Sequence, residues 1–143
     1  MEPAERRSEV DQCNCFAIRK AARRISRLYD NLLQPTGLRI TQFLVLAMLA
    51  EVGRATVNGL GERLDLERTA MGKTLGPLER DGLVRIVPSR TDGRVRVVTL
   101  TREGRRAFVE VRPLWREAQQ RLAALNGEQW IGALRSDLTN MKV

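Results

Sequence analysis

Apolar residues recur at helical spacing through most of the chain, and strand-like runs are confined to a short middle segment. Between residues 18 and 32 the apolar positions follow a period of three to four residues, which predicts an amphipathic helix that ends at residues 35–37, Pro-Thr-Gly. A second helix is predicted over residues 42–51, with Thr41 as its N-cap. Its nearly continuous apolar sequence predicts burial on several sides.

Two shorter helices joined by a tight turn are predicted next. Thr56 is the expected N-cap of the first, which reaches Leu64, and Asp65 is the expected N-cap of the second, over residues 67–80. Apolar residues on the two helices are spaced so that they face each other, which is typical of a helix-turn-helix. These apolar residues are Leu60, Leu64, Met71 and Leu75.

A β-hairpin is predicted directly after this unit. Its strands cover residues 83–87 and 95–100, and the turn between them contains Asp92, Gly93 and Arg94. A hairpin with a basic tip in this position is typical of the wing of a winged helix, and an arginine at such a tip fits the minor groove of DNA. The pattern therefore predicts a DNA-binding lobe.

Two further helices are predicted after the hairpin. Thr101 is the expected N-cap of a long helix that reaches about residue 125 and is kinked at Pro113. Asn126 is the expected N-cap of the last helix, with Gln129 at its third position as in a capping box. An apolar stripe on the last helix has nothing nearby in sequence to bury it, so we expect it to pack against the first helix or a second subunit. The stripe comprises Trp130, Leu134, Leu138 and Met141.

Composition narrows the class of function. The chain has 25 Lys and Arg against 17 Asp and Glu, a net charge of +8 that favours a polyanionic partner. It has no histidine, which excludes imidazole chemistry, and no phosphate-binding loop or nucleophile elbow, so we expect no catalytic residues, metal or cofactor. Without a membrane-length apolar run or a signal peptide, it is predicted to be cytoplasmic, nucleoid-associated when bound to DNA, and to have no membrane partner.

One motif connects these elements to a known family. Asp92, Arg94, Leu100, Thr101 and Gly104 stand at the spacing D-x-R-x(5)-L-T-x-x-G, which resembles the signature of the MarR family of bacterial transcriptional regulators. The similarity extends over nearly the whole chain. It implies a mainly α protein with a small β-hairpin wing, in which a winged helix-turn-helix lobe is joined to a helical dimerisation lobe. It also implies a homodimer that reads an inverted repeat in double-stranded DNA.

The pattern and the resemblance together divide the chain into four segments. Residues 1–11 are expected to form a disordered tail because of their polar composition. Residues 12–36 form a dimerisation helix and residues 37–100 the winged helix-turn-helix DNA-binding lobe. Residues 101–143 form the C-terminal dimerisation helices.

The predicted recognition helix has one core face and one open face. Arg68 and Thr69 lie in its first turn, where Arg68 is expected to pair with a guanine and Thr69 to contact a thymine methyl group or a phosphate. Lys73, one turn later, is an expected phosphate contact. Gly72 and Gly76 on the same face cost helix stability but remove side chains that would hold the helix away from the groove.

The hairpin tip supplies the second group of expected DNA contacts. Arg94 is the candidate for the minor groove, and Asp92 is expected to organise the turn rather than to touch DNA. Ser89 and Arg90, at the end of the first strand, are candidate phosphate contacts. The alternative for each arginine is an ordinary exposed charge.

Two cysteines lie at the start of the first helix. The helix dipole and Arg19 favour a thiolate at Cys15, and residues 15–18 resemble the sensor segment of the organic-hydroperoxide-sensing branch of the family. In that branch tyrosines form hydrogen bonds with the cysteine. Tyr29 matches one of those tyrosine positions, and Arg19 stands at the other. Inside a helix Cys13 and Cys15 would point about 200° apart and could not bridge. The alternative is that Cys15 is a small structural residue.

The sequence thus predicts a repressor that a small-molecule ligand or oxidation of Cys15 releases from its operator. A small aromatic or anionic effector would bind in the crevice between the two lobes, as in many members of the family, and a repressor without any ligand is left open. The alternative from a different class is a winged-helix adaptor that makes protein or RNA contacts without operator specificity. Loss of duplex affinity on replacing Arg68 and Arg94 separates the two hypotheses.

Overall fold

The computed structural model describes residues 8–143 of the chain. Most of the predicted tail, residues 1–7, lies outside the described residues, and Val10–Gln12 form a short 3-10 turn. The described part is mainly helical with a small antiparallel sheet. Its helices are Asn14–Leu33 (α1), Ile40–Val52 (α2), Val57–Leu64 (α3), Arg68–Arg80 (α4), Arg102–Asn126 (α5) and Glu128–Thr139 (α6), and its strands are Arg54–Thr56 (β1), Val84–Pro88 (β2) and Arg96–Leu100 (β3).

The junction between α1 and α2 confirms one boundary and corrects another. α1 passes into a 3-10 turn over Gln34–Thr36 and stops at Gly37, whose positive φ of 75° glycine adopts without strain. The prediction of Thr41 as the N-cap of α2 is wrong, because α2 begins at Ile40. Its first amides find other acceptors: the Arg39 N–H donates to Gln42 Oε1 (2.9 Å), and the Ile40 N–H donates to Asp30 Oδ1 of α1 (2.8 Å).

α2 runs through the middle of the winged-helix lobe and is surrounded by other elements. Its residues Phe43, Val45, Leu46 and Leu49 are all buried, which confirms the burial predicted from its apolar sequence. The rest of the hydrophobic core consists of Leu33, Leu38, Leu60, Met71, Leu75, Leu78, Val84, Val98 and Val111.

In residues 8–143 no single helix is long and apolar enough to cross a membrane. The segments Asn14–Thr36 and Ile40–Val52 meet the criteria of length and apolar composition only together, as a pair bent by 74°.

The helix-turn-helix has the predicted first cap but not the predicted second one. The Gly59 N–H donates to Thr56 Oγ1 (2.9 Å) at the start of α3. Asp65 is not the N-cap of α4: it ends α3 in a left-handed conformation (φ 53°), and Glu67 precedes α4. Gly61 is required by packing, because a Cβ atom there would lie 2.9 Å from the Leu66 carbonyl oxygen.

The sheet contains a strand that the sequence pattern did not reveal. β1 has three residues, too few for an alternating pattern, and pairs antiparallel with β3. β3 also pairs with β2, so the order is β1-β3-β2 and the β2–β3 hairpin is the predicted wing. Val98 is buried between its partners Ala55 and Ile86 and ties the sheet to the core.

The start of α5 explains why a Leu-Thr-x-x-Gly sequence follows the wing. The Gly104 N–H donates to Thr101 Oγ1 (2.9 Å), and that hydroxyl donates to the Gly82 carbonyl oxygen (2.6 Å), so Thr101 caps α5 as predicted. A Cβ atom on Gly104 would lie 1.9 Å from the Leu83 carbonyl oxygen. Only glycine therefore lets α5 pass this close to the start of β2.

The end of α5 corrects the last predicted cap. α5 continues through Pro113, and Asn126 is its final residue rather than the N-cap of α6. The Asn126 side chain donates to the Leu122 carbonyl oxygen one turn earlier (3.0 Å), and Gly127, with φ 95°, precedes α6. An asparagine side chain can donate to a carbonyl oxygen of the preceding helix as well as cap the amides of the following one. The capping-box pattern does not distinguish these two cases, and for this reason the prediction was wrong.

Apolar residues of the helical lobe stay in contact with solvent in the single chain. Trp130 is 56% exposed, Leu138 and Met141 are exposed, and α6 has no buried residue. An apolar groove runs between α1, α5 and α6. It is lined by Ala21, Arg24, Ile25, Leu28, Leu122, Leu125, Asn126, Trp130, Ile131 and Leu134.

Candidate nucleic-acid interface

α4 divides cleanly into a core face and a solvent face. Met71, Leu75 and Leu78 are buried, which follows from their spacing along the helix. The residues predicted to face DNA are all exposed on the other side, so α4 is held by the core and presents a polar face outward. These exposed residues are Arg68, Thr69, Gly72, Lys73 and Gly76.

The two glycines on this face have room around them. A Cβ atom at Gly72 or Gly76 would meet no atom within 4 Å. Packing against other elements therefore does not explain glycine at either position, in contrast to Gly61 and Gly104. At Gly76 the following Pro77 disfavours a Cβ atom in helical backbone. What the two glycines do provide is a low, uncovered stretch of backbone on the outer side of the helix.

A polar groove lies beside the leading end of α4, and sequence reasoning missed it. Besides Arg68 and Asn58, three carboxylates line the groove, those of Glu62, Asp65 and Glu67. Glu67 occupies the N-cap position with an extended backbone, and its side chain makes no capping hydrogen bond. The sequence signal was available, since three acidic residues stand within six positions of a chain whose net charge is +8.

The wing tip is shaped by Asp92. Its Oδ1 accepts a hydrogen bond from the Arg94 N–H (3.0 Å) and lies 3.5 Å from Arg94 Nε, while its carbonyl oxygen accepts from the Val95 N–H (3.0 Å). The Arg94 side chain is 95% exposed. An ion pair this exposed contributes little energy, so the guanidinium can leave it at small cost.

The remaining hairpin residues form a second small network. The Ser89 N–H donates to the Val95 carbonyl oxygen (2.7 Å), and Ser89 Oγ lies 3.1 Å from Thr91 Oγ1 and accepts from the Thr91 N–H (3.3 Å). The Ser89 hydroxyl is therefore already engaged within the loop. Arg90 is exposed, and among residues 8–143 it forms no ion pair.

The predicted sensor residues lie apart from each other. Cys13 and Cys15 are both exposed free thiols, whereas Tyr29 is 7% exposed and its hydroxyl donates to Gln119 Oε1 of α5. Cys15 and Tyr29 are fourteen residues apart on α1, which corresponds to about 21 Å along the helix axis. Within one subunit they cannot form a hydrogen bond. Burial raises the pKa of the Tyr29 hydroxyl, and the positive charge of Arg135 opposes this shift.

Cys13 does not lie within α1. It is the N-cap residue, with an extended backbone (φ −73°, ψ 118°), while Cys15 is in the first turn. The expectation that the two side chains point about 200° apart assumed that both are helical, so it does not apply to this geometry.

A crevice of about 400 Å³ opens between α2, α3 and α5. Its wall contains an aromatic stack in which the Phe43 ring lies 5.8 Å from Phe108 and 5.3 Å from Trp115. Arg112 lies 5.9 Å above the Phe108 ring, and Arg63 pairs with Glu51 at 3.3 Å at the rim. The crevice thus combines aromatic surface with two guanidinium groups.

Comparisons with known proteins agree with this architecture. A family model described as MarR family matches residues 36–95. The transcriptional regulator MosR of M. tuberculosis, solved in complex with DNA, is 34% identical over 90% of this chain and 99% of its own, with a TM-score of 0.74. The transcriptional repressor CouR, bound to a 23-mer DNA duplex, is 25% identical over 95% of this chain and 97% of its own, with a TM-score of 0.82.

A third similar structure is that of reduced AbfR bound to DNA, which is 27% identical over 84% of this chain and 90% of its own, with a TM-score of 0.67. A comparison with curated protein sequences gave no significant match. The identity to MosR over nearly the full length of both chains, together with the winged-helix architecture, establishes the relationship. The chain belongs to the MarR family of transcriptional regulators.

Proposed function

We propose that the protein is a cytoplasmic repressor that binds an inverted-repeat operator in double-stranded DNA as a homodimer. The observation that carries this proposal is the outer face of α4, where Arg68, Thr69 and Lys73 are exposed on a helix that the core holds in place. A helix fixed on one side and basic on the other is what major-groove recognition requires. Similar structures solved with DNA, among them those of MosR and CouR, support the same use of the fold.

Each predicted contact has a distinct role in this proposal. Arg68 pairs bidentately with a guanine, Thr69 contacts a thymine methyl group or a phosphate, and Lys73 contacts a phosphate. At the wing, Arg94 enters the minor groove while Asp92 holds the turn. The remaining proposed phosphate contacts are Ser89 and Arg90.

Dimerisation accounts for the apolar surface of the helical lobe. The groove between α1, α5 and α6 and the exposed Trp130 and Leu138 together form apolar surface that a second copy would cover. A two-fold dimer places two α4 helices in successive major grooves, so half-sites about 10 bp apart are expected.

Two release mechanisms remain candidates, and a different feature supports each. The crevice between α2, α3 and α5 offers aromatic surface and the guanidinium of Arg112, with Arg63 paired to Glu51 at the rim, which suits a small aromatic or anionic effector. Cys15 is an exposed thiol in the first turn of α1, which suits oxidation. AbfR has been solved on DNA in reduced and in overoxidized form.

The first experiment measures fluorescence anisotropy of the protein on duplex DNA from its own upstream region. Replacing Arg68 or Arg94 with Ala should each weaken binding at least about 10-fold, because each removes a specific groove contact. Arg121→Ala is the matched control, since Arg121 lies on α5 and pairs with Glu117 far along the chain from α4 and the wing. Affinity unchanged in both test variants would contradict the DNA-reading role and favour the adaptor.

A second experiment separates the release mechanisms. The reduced protein is titrated with DNA before and after stoichiometric organic hydroperoxide, with Cys15→Ser in parallel. Release that the substitution abolishes identifies oxidation of Cys15 as the signal. Binding indifferent to the oxidant assigns Cys15 a structural role and directs attention to the crevice.

A further inference from the structure

Glu67 stands at the end of α4 that the proposed function points into the major groove. It directly precedes Arg68 and Thr69, its backbone is extended, and the residue is exposed. Within residues 8–143 its carboxylate forms no ion pair and no capping hydrogen bond. A free acceptor therefore lies next to the two residues proposed to contact bases.

The helix dipole favours a negative charge at this end of α4, but two other general effects oppose a glutamate side chain here. Short side chains such as Ser, Thr, Asp or Asn cap helices well, and Glu67 does not cap α4. A carboxylate that approaches a polyanion is also repelled by the phosphates. A base contact would oppose both effects, because glutamate can accept a hydrogen bond from the N4 amino group of cytosine in the major groove.

We propose that Glu67 determines specificity by accepting a hydrogen bond from a cytosine N4 amino group, in the base pair next to the one that Arg68 reads. The inference rests on the proposed function. Thymine and guanine present acceptors at the major-groove edge and would face the carboxylate unfavourably, and adenine carries its N7 acceptor beside its amino group. Non-cognate sites would therefore be rejected by repulsion as well as by a missing contact.

The polar groove beside the start of α4 supplies a matched control for charge. Asp65 lines it beside Glu67, but it lies at the end of α3 in a left-handed conformation with φ 53°. Asparagine adopts that conformation readily, so Asp65→Asn removes one negative charge without backbone strain. Comparing it with Glu67→Gln separates a general effect of charge from a contact with one base.

The test selects duplexes from a random library with the full-length wild type, Glu67→Gln and Asp65→Asn, and then measures affinity on the preferred site and its single-base variants. Asp65→Asn should bind every sequence more tightly by a similar factor. Glu67→Gln should lose at least about 10-fold of the preference for cytosine at one position in each half-site. Glu67→Asp, which keeps the charge and improves the cap but shortens the side chain, should lose the same preference.

The outcomes distinguish a failure of the proposed function from a failure of the proposed role of Glu67. A wild type that selects no motif would overturn the proposed function, and the inference with it. In a second outcome the wild type selects a motif, while both Glu67 variants keep every base preference and change affinity for all sequences by a similar factor, as Asp65→Asn does. That result overturns the inference about Glu67 and leaves the proposed function standing. Thermal unfolding of each variant shows that the compared proteins are folded.

Discussion

The winged-helix lobe and the helical lobe bury their apolar residues in different ways. α2, α4 and the sheet contribute most of the buried core, whereas α6 has no buried residue and α1 buries only Tyr29 and Leu33, near its C-terminal end. The first lobe thus buries its apolar residues within one chain, whereas the second leaves many of its own exposed, where the proposed dimer would cover them. Substitutions in the first lobe should change the free energy of unfolding of the single chain, and those in the second should change its association.

The largest expected effect comes from truncating the center of the first lobe. Leu46→Ala should lower the free energy of unfolding by about 2–5 kcal/mol, because Leu46 is fully buried and the surrounding residues only partly fill the cavity left behind. Leu138→Ala is the paired variant in the second lobe. This substitution should leave the free energy of unfolding nearly unchanged at low protein concentration, and it should weaken association. Denaturant unfolding at several protein concentrations measures both effects. Equal losses independent of concentration would contradict the difference between the lobes.

A smaller effect is expected at the junction where α5 leaves the sheet. Gly104→Ala should cost about 1–3 kcal/mol, because the added methyl group collides with the Leu83 carbonyl oxygen and α5 must shift. Gly72→Ala is the control on an open helix face and should stabilise the fold by up to about 1 kcal/mol. Thermal unfolding measures both, and an unchanged midpoint for Gly104→Ala would refute the close approach.

The smallest effect is expected at the contact between α1 and α5. Tyr29→Phe should cost about 1 kcal/mol at neutral pH, because Gln119 loses its hydrogen-bond donor. Burial raises the pKa of Tyr29 above 10.0, so folding favours the protonated hydroxyl. That stability is complete below pH 10.0 and is lost as the pH rises through the folded-state pKa. The wild type should therefore lose stability more steeply above pH 10.0 than Tyr29→Phe, as alkaline unfolding curves can show.

The sequence predicted elements better than it predicted their ends. Periodicity identified the amphipathic helices and the wing because each depends on residues close in the chain. The N-cap predictions at Thr41, Asp65 and Asn126 were wrong because the acceptors and the turns that decide a helix start are not fixed by residue type. At α2 the decisive acceptor is Asp30, on a different helix.

The candidate site shows the same division between local and distant information. The exposed face of α4 followed from helical spacing, since placing Met71 and Leu75 in the core leaves Arg68 outside. The polar groove beside Glu67 could not be predicted from helical spacing, because it forms where α3 and α4 meet. The partner of Tyr29 was equally out of reach, because Gln119 lies ninety positions later in the chain.

The most direct test of the central claim compares two duplexes of equal length and composition, the upstream sequence and a scrambled version, in one anisotropy titration. We expect binding of the upstream duplex to be at least about 1,000-fold tighter at physiological salt, with two chains bound per site and a steep loss of affinity as salt rises. Equal affinity for the two duplexes, or one chain bound per site, would contradict a homodimer that reads an inverted repeat.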